Sequence, residues 1–163
     1  MAEDYTVRVS NDSLVFSAAH FITFAGGVCE ELHGHDFRVA VEVGGPLDEN
    51  RYVVDFVALQ AAIERIVNEF DHRILLPTEH PRIRVTVEEG EVEARFEDRR
   101  WVFPRGDCIL LPIANTTSEL LARQIGIRLR DELAAEYSIR PEIVRVEVSE
   151  SAGRTAVCVL RAE

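Results

Sequence analysis

Apolar residues fall at every second position in "FRVAVEVGG", where Phe37, Val39, Val41 and Val43 alternate with polar or small residues. A two-residue period suits an extended segment with one buried face. The same alternation frames both ends of the chain. "TVRVSNDSLVFSAAHF" reads as a strand, a small turn at "SNDS" and a second strand. "EIVRVEVSES" and "TAVCVLR" read as two closing strands around a Ser-Ala-Gly-Arg turn. Between these ends the period becomes helical. Leu59, Ile63, Ile66 and Phe70 of "VDFVALQAAIERIVNEF" share one helix face, and the helix is expected to end near "DHR". A second helix is announced by "TTSE", with Thr116 and Glu119 at capping-box spacing. It continues through Leu121, Ile125, Leu129 and Leu133 and stops before Pro141.

Strands, two helices and strands again predict an α+β fold with a mostly antiparallel sheet. A sheet of this size has exposed edges, and pairing them between subunits would remove that liability, so a homo-oligomer is expected. The 163 residues suffice for one domain, 1–163, but are short for two. The alternating stretch at about 77–111, with its Glu-Glu-Gly turn and Trp101, reads as a β insertion of two or three short strands. It is too short to carry a core of its own.

Charge narrows the partners. The net charge of −11 repels polyphosphate backbones and anionic lipid at long range, which argues against nucleic acid and membrane surfaces. All 18 basic residues are arginine, so Schiff-base chemistry and a P-loop, which need a lysine amine, are excluded. Cys29, Cys108 and Cys158 are widely spaced and form no C-x-x-C pair. With no apolar leader or membrane-length apolar run, the expected location is the cytoplasm, with free thiols.

The chemistry concentrates in "GGVCEELHGHDF", Gly26–Phe37. His33 and His35 share the parity of Phe37, Val39 and Val41, so they extend the inward row of that strand. His20 follows Leu14, Phe16 and Ala18 in phase. Three inward imidazoles with an open fourth position suit catalytic Zn²⁺; buried, hydrogen-bonded histidines are the alternative. Cys29, four residues before His33, is close enough to act as a base there, or it is an inert turn residue. Cys108 and Cys158 read as packing residues. Asp71 and His72, directly after the first helix, form either a proton-relay pair or a helix cap. His80, beside Pro81, reads as an exposed loop residue without a partner. Glu150 continues the inward row of Val144, Val146 and Val148; unless solvated, an inward carboxylate needs an N–H-rich partner such as a ligand's amidine edge.

Six blocks, "FSAAHF", "CEELHGHDF", "VVDF", "FDHRIL", "TTSELLA" and "VEVSES", resemble in their order the 6-pyruvoyl-tetrahydropterin synthase and 6-carboxytetrahydropterin synthase family. They cover most of residues 6–76 and 112–161 and leave the insertion outside. The resemblance implies the tunnelling fold (T-fold): an antiparallel sheet with two helices on one face, whose subunits assemble into a β-barrel, a hexamer by analogy, with active sites between subunits. It implies Zn²⁺ on His20, His33 and His35, Cys29 as catalytic base with Asp71 and His72 as relay partners, and Glu150 as anchor of a pterin triphosphate substrate. The spacing from Cys29 to His33 resembles the carboxytetrahydropterin branch. That branch turns 7,8-dihydroneopterin triphosphate into 6-carboxy-5,6,7,8-tetrahydropterin, acetaldehyde and triphosphate on the route to queuosine. The "CEELHGH" pattern also resembles members in which a glutamate, here Glu30, is a second base that yields 6-hydroxymethyl-dihydropterin for folate synthesis. The 6-pyruvoyl-tetrahydropterin synthase reaction and a zinc- or pterin-binding protein without turnover are further alternatives.

Overall fold

The structure is a computed structural model and describes residues 3–162. The first strand, β1 (Tyr5–Val9), leads through a turn to β2 (Val15–His20). The two-residue strands β3 (Thr23–Phe24) and β4 (Val28–Cys29) follow, then the long β5 (His33–Gly45) and helix α1 (Phe56–Phe70). Next come β6 (Arg73–Pro77), β7 (Arg84–Glu88), β8 (Glu91–Phe96), β9 (Arg99–Pro104) and β10 (Cys108–Leu111). Helix α2 (Ser118–Tyr137), β11 (Ile143–Ser151) and β12 (Arg154–Arg161) complete the chain.

The main sheet runs β10-β6-β2-β5-β11-β12, with β1 also paired to β5. β1 and β2 follow one another along the same edge of β5: Val9 faces Val41 and Val15 faces Arg38. The intervening turn is held by Asn11, whose carbonyl accepts from the Leu14 N–H and whose side chain accepts from the Ser13 N–H. This register places His20 directly opposite His33 and Ala18 opposite His35. Pairing is antiparallel around β5, as the alternation predicts, but β2–β6 and β6–β10 are parallel.

Both helices pack on one face of this sheet. Leu59, Ile63, Ile66 and Phe70 of α1 and Leu121, Ile125, Leu129 and Leu133 of α2 share a core with Phe16, Phe37, Val39, Val41, Val144, Val146 and Val148. Asp55 caps α1, accepting from the N–H groups of Val57 and Ala58. Gly126 lets α2 approach the sheet: a Cβ there would lie 3.1 Å from Leu160 Cδ1 and 3.2 Å from Val146 Cγ2.

The N-cap of α2 differs from the expected Thr116. Thr117 accepts from the Leu120 N–H, while the Thr116 hydroxyl donates to the Phe21 carbonyl. Thr116 is fully buried, so its hydroxyl is drawn to a partner far away in sequence.

Strands β7, β8 and β9 form a separate antiparallel meander, whereas Cys108–Leu111 joins the main sheet beside β6. Leu75 and Leu76, adjacent on β6, point to opposite faces. Leu75 enters the core beneath the helices, and Leu76 enters a second cluster with Phe21, Ile83, Val92, Ala94, Phe96 and Cys108. The small sheet therefore rests its apolar face on an edge of the large one. Cys108 is buried there, and half-buried Cys158 packs against the main core; all three cysteines are free.

Candidate active site

β2 and β5 carry the histidines to a shared end of the sheet. One nitrogen of each of His20, His33 and His35 lies within 4.8 Å of the others. His20 is 2% exposed, and its Nδ1–H donates to the Thr116 carbonyl at 2.9 Å. A carbonyl can only accept, so that tautomer leaves Nε2 with its lone pair free. His20 Nε2 is buried and has no hydrogen-bond partner among the described residues. The Nδ1–H of His33 likewise donates to the Glu31 carbonyl at 2.8 Å, which turns its Nε2 lone pair toward His35 Nε2, 3.0 Å away. Lone pairs at that distance repel unless a proton or cation lies between them. Burial, followed by the neighbouring imidazoles, lowers the His20 pKa against the pull of the Thr116 carbonyl, so the ring is held neutral, as a ligand must be. The orphaned buried nitrogen and the two carbonyl-fixed tautomers fit a divalent cation of the zinc type.

These imidazoles line a cleft of about 510 Å³ that also includes Ile22, Glu30, Glu150 and Arg154. The N-cap of α2, Thr117, and its first residue, Ser118, form part of its wall. Glu150 lies where the inward row of β11 meets a register shift between Ser149 and Ser151, and its carboxylate accepts from the Ser118 hydroxyl at 3.5 Å. Glu30 Oε2 lies 3.9 Å from His33 Nε2 and accepts from the Ile22 N–H at 3.2 Å. Cys29, one residue earlier, does not line the cleft. Its thiol is half-buried against the second apolar cluster, and burial raises its pKa despite the opposing pull of Arg99.

Asp71 and His72 are paired, with His72 Nδ1 2.8 Å from Asp71 Oδ2. Asp71 also accepts from the Ser17 N–H at 2.8 Å, and the His72 N–H donates to the Ser17 carbonyl at 2.7 Å. Partial burial opposes ionisation of Asp71, but the Ser17 N–H and His72 outweigh it and lower the pKa. His72, just past the α1 C-cap Asp71, has left-handed backbone, φ 56°, and its side chain is 83% exposed. It lines a different cleft, with Ser17, Asp36 and Asp107, that meets the first only at His35.

One chain thus brings together His20, His33, His35, Glu30 and Glu150, but not Cys29, Asp71 or His72. The Thr116 carbonyl, Ser118 and Arg154 were not singled out from sequence. The capping signal at "TTSE" marked the region of Thr116 and Ser118 but not the approach of the Thr116 carbonyl to His20. His80 is also not the unpartnered residue expected. Its Nδ1 accepts from the N–H groups of Arg82 and Ile83, and Nε2 lies 2.7 Å from Thr23 Oγ1. Among the described residues, no helix is long and apolar enough to cross a membrane.

A sequence model described as "6-pyruvoyl tetrahydropterin synthase" matches residues 10–161. A protein of Methanocaldococcus jannaschii named putative 6-carboxy-5,6,7,8-tetrahydropterin synthase is 30% identical over 144 residues, 88% of each chain. The structure of Plasmodium falciparum 6-pyruvoyl tetrahydropterin synthase superposes with a TM-score of 0.87 at 29% identity, covering 99% of this chain and 100% of that one. A Plasmodium vivax 6-pyruvoyltetrahydropterin synthase, described as a catalytic-residue mutant with glutamate replaced by alanine, has a TM-score of 0.87 at 26% identity, with 99% and 100% covered.

Proposed function

The chain belongs to the 6-pyruvoyl tetrahydropterin synthase family and is an enzyme of that family, and from that premise we propose that the histidine cleft is its active site, acting on 7,8-dihydroneopterin triphosphate. The observation that carries the reading is the convergence of three imidazole nitrogens on a cleft that also holds Glu150. The leading product is 6-carboxy-5,6,7,8-tetrahydropterin, with acetaldehyde and triphosphate released, which is the route to queuosine. The name of the M. jannaschii relative supports it.

His20, His33 and His35 would hold Zn²⁺, which supplies Lewis acidity to substrate side-chain hydroxyls. Glu150 would accept from the N–H edge of the pterin ring; a dihydropterin's paired donors match a carboxylate's two oxygens. The three-nitrogen wall and Glu150 then orient the ring and its side chain relative to each other. In this reading Cys29 moves a proton between ring and side chain, so its thiol has to turn from the apolar cluster into the cleft. Asp71 and His72 complete the relay from a second copy of the chain, because in its own chain His72 lines another cleft. The working unit is therefore a homo-oligomer with shared sites, and the proposed location is the cytoplasm.

A second reading rests on a specific observation: Glu30, not Cys29, already faces the histidines. The glutamate called catalytic in the P. vivax protein supports it. Glu30 as base would cleave the side chain in an aldolase-like manner and give 6-hydroxymethyl-dihydropterin. Mass spectrometry of products from zinc-loaded protein and 7,8-dihydroneopterin triphosphate, with aldehyde trapping, separates the two. Acetaldehyde with 6-carboxytetrahydropterin establishes the first. A two-carbon aldehyde that keeps the triphosphate ester, with 6-hydroxymethyl-dihydropterin, establishes the second, and no pterin product at all overturns both.

A further inference from the structure

The small sheet reaches the catalytic turn through one side chain. Arg99, the first residue of β9, donates from Nη1 to the carbonyls of Cys29 at 2.8 Å and Glu30 at 3.0 Å. Its Nη2 donates to Glu31 Oε2 at 3.0 Å. The guanidinium lies over the Trp101 ring, 4.7 Å from its centroid, and Trp101 stacks on Phe21 at 4.4 Å. Phe21 directly follows His20 and accepts from Thr116, whose carbonyl orients that imidazole. Arg99 is thus fixed on one side by stacking and spends its donors on the turn.

Cys29 and Glu30 are adjacent, and successive side chains of an extended segment leave opposite sides. Here Glu30 faces the histidine cleft and Cys29 faces the second apolar cluster. Exchanging them requires rotation of the peptide units whose carbonyls Arg99 grips. A planar fork can hold successive carbonyls and an acidic side chain at once; a lysine ammonium lacks that fixed geometry.

We propose that Arg99 is a positioning residue that sets which of the two neighbours, Glu30 or Cys29, faces the histidine cleft, and thereby the ratio of products released. The grip is independent of the chemistry, whereas the identity of the products rests on the functional reading above. The insertion acquires a role in that chemistry without touching substrate.

The test compares zinc-loaded wild-type enzyme with Arg99→Ala and Arg99→Lys; the lysine variant keeps the charge and loses the fork. Alkylation of Cys29 by N-ethylmaleimide, without substrate, is followed by peptide mass spectrometry against buried Cys108 in the same chain. Releasing the turn should raise the Cys29 rate in Arg99→Ala relative to Cys108 by about fivefold or more, with Arg99→Lys between. The ratio of 6-carboxytetrahydropterin to 6-hydroxymethyl-dihydropterin should rise by about threefold or more in the same order. An unchanged Cys29 rate, or products falling in parallel at constant ratio, overturns the proposal. If the wild type makes neither product, the functional reading fails, and the alkylation contrast alone supports or overturns the grip.

Discussion

Two histidine-bearing regions of this chain are built in opposite ways. His20 is buried, its tautomer is set by a backbone carbonyl, and its free nitrogen has no partner among the described residues. His72 is paired to a carboxylate, sits on left-handed backbone and projects outward. The first arrangement is what a ligand needs: neutral, aimed and desolvated. The second suits a group that exchanges protons with something outside its own chain. In the proposed reading, the fold completes a metal-binding pocket within one copy and presents the relay to another.

Replacing His72 breaks this comparison most sharply. In His72→Asn, kcat should fall about 10²–10⁴-fold, the usual worth of a general acid–base group, while zinc content stays at the wild-type level. Co-assembly with Glu150→Gln should restore about a quarter of wild-type activity, because mixed pairs regenerate intact shared sites. Steady-state assays on separately purified and co-refolded variants check both. Failure to complement would place both residues in service of the same chain.

A smaller effect is expected from the support of the buried pocket. Thr116→Val removes the donor to the Phe21 carbonyl and loosens the segment whose carbonyl aligns His20. Zinc affinity should drop about tenfold, at the low end for outer support of a ligand, and stability by about 1–3 kcal/mol for the unpaired carbonyl. Competition with a chromogenic chelator and urea unfolding measure the two. Loss of stability with unchanged zinc affinity would show that the Thr116 carbonyl holds its place without the hydroxyl.

The smallest effect lies outside both regions and sharpens their contrast. Glu147, on the outward row of β11, is held at a pKa of about 2 by hydrogen bonds first from Arg8 and then Arg145, against some desolvation. A carboxylate lowered from its usual 4.5 contributes stability above that value, and the contribution is lost as pH falls from 4.5 through about 2. Arg8 is open to water, so screening leaves about 1 kcal/mol. Chemical unfolding at several pH values should show wild type losing about that much more than Glu147→Gln over this window, with zinc affinity at neutral pH unaffected.

The facing of the candidate ligands was legible because alternation carries that information. Phe37, Val39 and Val41 are buried, and counting back by two reaches His35 and His33; the same count along β2 and β11 reaches His20 and Glu150. What alternation does not carry is the partner across a long loop. Adjacent Thr116 and Thr117 offer equal local capping, and the choice is made by the distant Phe21 carbonyl. Cys108–Leu111 alternates like its neighbours, yet its parallel place beside β6 depends on a contact far away in sequence. His80 has two local partners, the Arg82 and Ile83 N–H groups, and one, Thr23, from another part of the chain that no local pattern reveals. The candidate acid-base residues came from resemblance, but the pattern "CEELHGH" holds two candidates side by side, and the turn that carries them is gripped by Arg99 from the insertion.

The central claim is that His20, His33 and His35 form a metal centre, and zinc titration of metal-free protein against a chromogenic chelator tests it most directly. The account predicts about one zinc per chain for the wild type, and affinity at least about 100-fold weaker in both His20→Ala and His33→Ala with unchanged far-ultraviolet circular dichroism. Stoichiometric zinc at wild-type affinity in either variant, or none in the wild type, would contradict it.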